Sequence, residues 1–110
     1  MAKRVRLGIE GLKVNETECR LLELVVERSR GQHRIGCEFV DLSRKEMREH
    51  LGCSTPTTVR SCLYLVDSGL LEVRTEHLDN GAQVANSYRA TALGLEVVRL
   101  YRIERDGAAL

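Results

Sequence analysis

The run Leu51-Gly-Cys-Ser-Thr-Pro-Thr-Thr-Val-Arg-Ser-Cys-Leu-Tyr-Leu-Val-Asp-Ser-Gly-Leu-Leu71 leaves this chain few ways to fold. It reads as the end of one helix, a tight turn, a second helix and the start of a strand. Gly52 suits the left-handed residue that closes a helix, and Ser54 has the hydroxyl that caps the next. Pro56, the only proline of the chain, falls in the first helical turn, where a missing N–H leaves no bond unmade. Gly69 ends the second helix, and Leu70-Leu71 begin strand chemistry.

Stepped at about 100° per residue, the second helix has two unlike faces. Thr55, Val59, Cys62, Leu63 and Val66 gather on one, with Thr58 and Leu65 at its edge. Thr57, Arg60, Ser61 and Tyr64 gather on the other. The apolar set is expected to face the core. The second set, short hydroxyls with one guanidinium and one phenol, suits base edges in a DNA major groove.

The flanking chain supplies the remaining elements. Asn15-Glu16-Thr17-Glu18 is a capping box opening a helix to about Arg30, with Leu21, Leu22, Val25 and Val26 inward and Val14 stapled onto Cys19. Cys37 to Leu42 reads as a short strand. Ser43-Arg44-Lys45-Glu46 is a second capping box, and its helix ends near Leu51 with Met47 and Leu51 inward. Leu71, Val73 and Thr75 alternate with Glu72, Arg74 and Glu76 as a half-buried strand. Asn80-Gly81 favours a tight hairpin turn that sets Val73 opposite Tyr88, Leu71 opposite Ala90 and Glu72 opposite Arg89. Thr91 caps a last helix to about Arg105, whose wide stripe holds Leu93, Val97, Leu100 and Tyr101, continued by Leu95 and Val98.

Leu51-Gly-Cys-Ser54-x-x-Thr57, Leu65, Gly69-Leu70-Leu71 and Asn86-Ser-Tyr88-Arg89-Ala90-Thr91-x-x-Gly94 together resemble a winged helix-turn-helix domain, of the kind found in MarR-like and other bacterial and archaeal regulators. The resemblance covers roughly residues 15 to 105. Thr58 stands where such families usually carry an aliphatic residue, and Ala90 replaces a usual leucine. The resemblance implies an α+β, mainly α fold: helix, short strand, helix, turn, helix, β-hairpin wing and C-terminal helix. Residues 1–14 are then an N-terminal arm, 15–106 the domain and 107–110 a tail.

Composition fits one compact domain: 110 residues, 43% hydrophobic and 30% charged. No apolar run approaches the roughly 18 residues of a membrane span, and no apolar segment follows the basic N-terminus as in a secretory signal. A soluble, cytoplasmic protein is expected. Cys19, Cys37, Cys53 and Cys62 form no Cys-x-x-Cys pair, and His33, His50 and His77 are scattered, so no metal is expected. Cys19 and Cys62 read as small core hydrophobes. There is no phosphate loop or nucleophile–base pairing, so no cofactor is expected and the chain is not expected to be an enzyme.

Net charge is only +1, but its distribution is uneven. Residues 1–34 hold eight Lys/Arg against five Asp/Glu, whereas 35–90 hold six against eight. Lys3, Arg4, Arg6 and Lys13, alternating with Val5, Leu7 and Ile9, make the N-terminal arm a basic segment for DNA or for a partner subunit. The expected function is sequence-specific binding of double-stranded DNA by a small homodimeric transcriptional regulator, paired through its N-terminal segment and C-terminal helix. The expected contacts are Arg44 and Lys45 on phosphate; Ser54, Thr55, Thr57, Arg60, Ser61 and Tyr64 in the groove; and Arg74, Asn80 and Gln83 on the wing. Acidic Glu76 and Asp79 make that wing a weak contact. Two alternatives use the same fold: a plasmid or mobile-element replication or excision factor, and a winged helix turned to protein–protein contact.

Overall fold

A computed structural model describes residues 5–6, 13–30, 39–77 and 83–108. In chain order the elements are β1 (Val5–Arg6), β2 (Lys13–Val14), α1 (Glu16–Arg30), β3 (Val40–Leu42), α2 (Arg44–Leu51), α3 (Thr55–Asp67), β4 (Leu71–His77), β5 (Gln83–Ala90) and α4 (Ala92–Ala108). The four helices and the antiparallel sheet of order β3-β5-β4 give the expected mainly helical α+β architecture, with β1 and β2 paired apart from it.

The caps are made by the residues that the sequence nominated. Asn15 Oδ1 accepts the Glu18 N–H at 2.8 Å while Glu18 Oε1 accepts the Asn15 N–H at 3.0 Å. Ser43 and Glu46 exchange the same two bonds at 3.0 and 3.3 Å. Gly52 closes α2 at φ 65°, its N–H donating to the Arg48 carbonyl at 2.8 Å. A β-carbon there would face the left-handed penalty of roughly 1–2 kcal/mol. Each device satisfies backbone groups that a helix end leaves unpaired.

The hairpin register is the expected one: Leu71 opposite Ala90, Glu72 opposite Arg89 and Val73 opposite Tyr88. It shifts between Glu76 and His77, so that His77 pairs with Gln83. The proposed Asn80-Gly81 turn lies outside the described residues, as do Cys37 and His33. Leu71, Tyr88 and Ala90, with Val40 and Leu42 of β3, turn inward onto Leu21, Leu22 and Val25 of α1. Tyr88 is thereby a core aromatic, and Ala90 occupies a buried site. Val14 and Cys19 are both buried at the start of α1.

Two junctions lock together at the base of the hairpin. The Leu70 carbonyl accepts the Thr91 N–H at 3.1 Å, and the Thr91 hydroxyl donates to the Gly69 carbonyl at 2.7 Å. Thr91 Oγ1 also accepts the Gly94 N–H at 3.0 Å, capping α4. A β-carbon on Gly94 would lie 2.1 Å from the Leu70 carbonyl oxygen. The Thr-x-x-Gly pattern therefore serves one close approach.

Helix α4 runs to Ala108, three residues past the expected end. Val97, Val98 and Tyr101 are buried, whereas Leu93 and Ile103 stay exposed. Ion pairs bind α4 to α1: Arg102 Nε meets Glu23 Oε2 at 2.7 Å, Arg102 also meets Glu27, and Arg105 reaches Glu23 at 3.3 Å. The Tyr101 hydroxyl donates to Glu16 at 2.6 Å.

Candidate nucleic-acid interface

Helices α2 and α3 with the Gly52 turn form the helix-turn-helix unit, and α1 fixes its position. Arg20 of α1 donates to the carbonyls of His50 at 2.6 Å and Leu51 at 3.3 Å, covering the acceptor end of α2. Across the turn, Arg48 donates to Thr55 Oγ1 at 3.1 Å, tying the last turn of α2 to the first of α3. Ser54 caps α3, accepting the Thr57 N–H at 3.4 Å, and its hydroxyl donates to Thr57 Oγ1 at 3.0 Å.

The orientation of α3 corrects the expectation. Thr58, Ser61 and Leu65 are the buried residues, while Pro56, Arg60, Leu63, Val66 and Asp67 are exposed. The helix is turned by roughly a quarter revolution from its apolar arc. Small Thr58 and Ser61 beside Leu65 form the inward face, and α1 packs against α3. Thr58 is accommodated because its hydroxyl donates to the Ser54 carbonyl at 2.9 Å and lies 3.2 Å from Cys53 Sγ. Ser61, expected on the reading face, is therefore a core residue. Leu63, expected in the core, is 57% exposed.

The displaced apolar residues border a groove of about 230 Å³ between α3 and the sheet. Val59, Cys62, Leu63 and Val66 form one wall, Val73 and Tyr88 the other, and Met47 with Arg44 one end. Burial raises the Cys62 thiol and the Tyr88 phenol above their ordinary values, and the Arg44 charge opposes both shifts. The guanidinium of Arg44 thus acts on the groove as well as on solvent.

The remaining expected contacts separate into three groups. Arg44, Lys45, Ser54 and Arg60 are exposed, with Thr55 and Thr57 half-buried beside them on the same two helices. Lys45 makes a 3.9 Å pair with Glu49, and Arg60 donates to Thr57 Oγ1 at 3.5 Å. Glu46, which dilutes the charge of α2, is itself engaged by Arg28 at 2.9 Å. Tyr64 is half-buried and its hydroxyl donates to the Lys13 carbonyl of β2. Arg74 lies away from the α3 groove: alternation puts it on the sheet face opposite Val73, with its guanidinium 4.4 Å from the Phe39 ring centroid. Arg89 covers the same ring at 4.3 Å and pairs with Glu72 at 2.9 Å. Asn80 lies outside the described residues, and so does the side chain of Gln83.

The sequence reading missed the Arg20 cap, the Arg48–Thr55 link and the Phe39 stack. Arg48 stood seven residues before Thr55 across a predicted turn, which was a usable signal. Arg20 and Phe39 carried none, because their partners are distant in sequence.

No protein-family model and no curated protein matches this chain. Solved structures do. MepR of S. aureus superposes with a TM-score of 0.64 at 12% identity, over 87% of this chain and 61% of that one. ZitR of Lactococcus lactis gives 0.64 at 12%, over 96% and 62%. AdcR, a zinc-dependent MarR-family transcriptional regulator, gives 0.61 at 19%, over 90% and 57%. The chain has a MarR-like winged-helix fold. It spans 57–62% of the length of these three structures. In this winged helix β4 and β5 are the wing, and α3 stands where the fold exposes its second helix-turn-helix helix.

Proposed function

We propose that this winged helix binds double-stranded DNA as a homodimeric, cytoplasmic transcriptional regulator and is not an enzyme. The observation that carries the reading is the outward ridge of α3, where Arg60 is exposed on a helix with no acidic residue in its first turn. A helix N-terminus of that kind tolerates close approach to phosphate. Arg44 and Lys45 supply backbone contacts from α2, while Ser54, Thr55, Thr57 and Arg60 face the groove. Exposed Leu93 and Ile103 on α4 supply the apolar surface for pairing subunits. AdcR being a transcriptional regulator supports the reading. Its zinc is not carried over, since no group of three or more His, Cys, Asp or Glu able to hold a metal gathers among the described residues.

Selection of genomic fragments, followed by titration at two salt concentrations, tests the reading. Binding weakens steeply with salt, and Arg60→Ala lowers specific affinity by about 1–3 kcal/mol with the fold intact. Salt-insensitive or absent binding overturns it. The second reading, a winged helix used for protein contact, is favoured by the apolar groove, where Leu63, Val66 and Val73 are all exposed. It predicts that Leu63→Asp abolishes partner capture and that no DNA fragment is enriched.

A further inference from the structure

The crest that α3 turns to solvent is part cation and part hydrocarbon. Thr58, Ser61 and Leu65 face inward. At about 100° per residue, the line pointing away from them runs through Pro56, Leu63 and Asp67, with Arg60 beside it. Leu63, at 57%, is the most exposed large hydrophobic side chain among the described residues. From Pro56 to Leu63 the crest rises about 10 Å, roughly three base-pair steps of a duplex. Asp67, the one anion on the crest, lies a turn further on, beyond the N-terminal part that enters a groove in helix-turn-helix docking.

Arg60 is pre-oriented on this crest. The Ser54 hydroxyl donates to Thr57 Oγ1 at 3.0 Å, and the same oxygen accepts from Arg60 Nη2 at 3.5 Å. Arg60 makes no ion pair among the described residues, so most of its donors stay available to a ligand. A guanidinium fork and a branched aliphatic group within one helical turn match two different base edges. In the major groove guanine offers N7 and O6 as paired acceptors, whereas thymine offers a C5 methyl group. An isobutyl side chain laid on that methyl removes both apolar surfaces from water.

We propose that Leu63 is a specificity-determining residue, which reads a thymine methyl group beside a guanine held by Arg60. The proposal rests on the DNA-binding reading above and gives the exposed leucine an occupant other than a protein partner. Thr57 is a positioning residue for the guanidinium. The preferred half-site then contains a guanine with a thymine next to it, on either strand.

The test uses the full chain and the selected DNA fragment, with each thymine of the site replaced in turn by deoxyuridine, which keeps the hydrogen-bonding edge and lacks the methyl. At one such position the wild-type chain loses about fourfold in affinity, the effect of one buried methyl-sized group. Leu63→Ala binds the two fragments alike, and the slope of affinity against salt is unchanged because no phosphate contact is touched. Leu63→Met keeps the preference for thymine. Arg60→Ala, in turn, no longer responds to 7-deazaguanine at the neighbouring position. Equal urea midpoints for wild type and Leu63→Ala separate reading from folding. A wild-type chain indifferent to deoxyuridine throughout, or a selected site with no thymine beside a guanine, overturns the proposal and leaves the DNA-binding reading standing. A preference that survives in Leu63→Ala overturns it too, and assigns the leucine to a protein partner at the apolar groove. Absence of salt-sensitive binding by the wild-type chain overturns both readings.

Discussion

Single side chains decide several features of this winged helix. Gly94 is the sharpest case, because the Leu70 carbonyl occupies the space that any β-carbon would need. Gly94→Ala is expected to lose about 1–3 kcal/mol, read as a lowered urea midpoint at unchanged m value. Cys19 shows the opposite use of a reactive residue. Burial, reinforced by Glu16 and Glu18, pushes its thiol up to about 12, so it stays protonated and inert at pH 8. Mass-spectrometric mapping after brief iodoacetamide treatment should find Cys19 unmodified in the native chain and modified in urea. The sequence identified Cys19 correctly as a small hydrophobe, since its position on an apolar helical stripe was local information.

At the level of elements, local chemistry was legible and rotation was not. Both capping boxes and the Gly52 turn follow from residues within a few positions of each other and formed as expected, as did the register of β4 on β5 from Leu71 to Glu76, short of the shift before His77. The facing of α3 did not follow. Its buried side, Thr58, Ser61 and Leu65, was set by tertiary packing, since α1, α2 and β4 all pack on this helix. Among the expected contacts, Ser61 went to the core and Arg74 to the far side of the sheet for this kind of long-range reason. Arg20 belongs to the same class, since its partners on α2 are thirty residues away. Arg20→Met should reduce stability by about 1–2 kcal/mol, because two terminal carbonyls lose a charged donor. Guanidinium denaturation of that variant beside Arg28→Met, which loses an exposed ion pair with Glu46 and is expected to move the midpoint less, provides the comparison.

For the molecule as a whole, α1 and α4 are held by Glu23, Glu27, Arg102 and Arg105 as well as by the core. Burial raises the Glu23 carboxyl, but the Arg102 hydrogen bond and the charges of Arg105 and Arg102 outweigh it, leaving it below its ordinary 4.5. A carboxyl lowered on folding stabilises fully above its unfolded value and loses that contribution as pH falls through its folded one. Stability should therefore decline below about pH 4.5. Glu23→Gln should be less stable at neutral pH and show a shallower acid decline, measured as urea midpoints from pH 7 to pH 3. Equal pH slopes in the two proteins would locate the acid sensitivity elsewhere.

The paired junctions at Leu70 and Thr91 have a mechanical meaning. Helix α4 begins where the end of α3 is fastened, with a carbonyl seated on Gly94 and no slack between them. A tilt of α4 is delivered to the foot of α3 as a lever delivers its load. In the proposed DNA-binding dimer, assembly state and the pitch of α3 would be geared to each other through that one backbone oxygen.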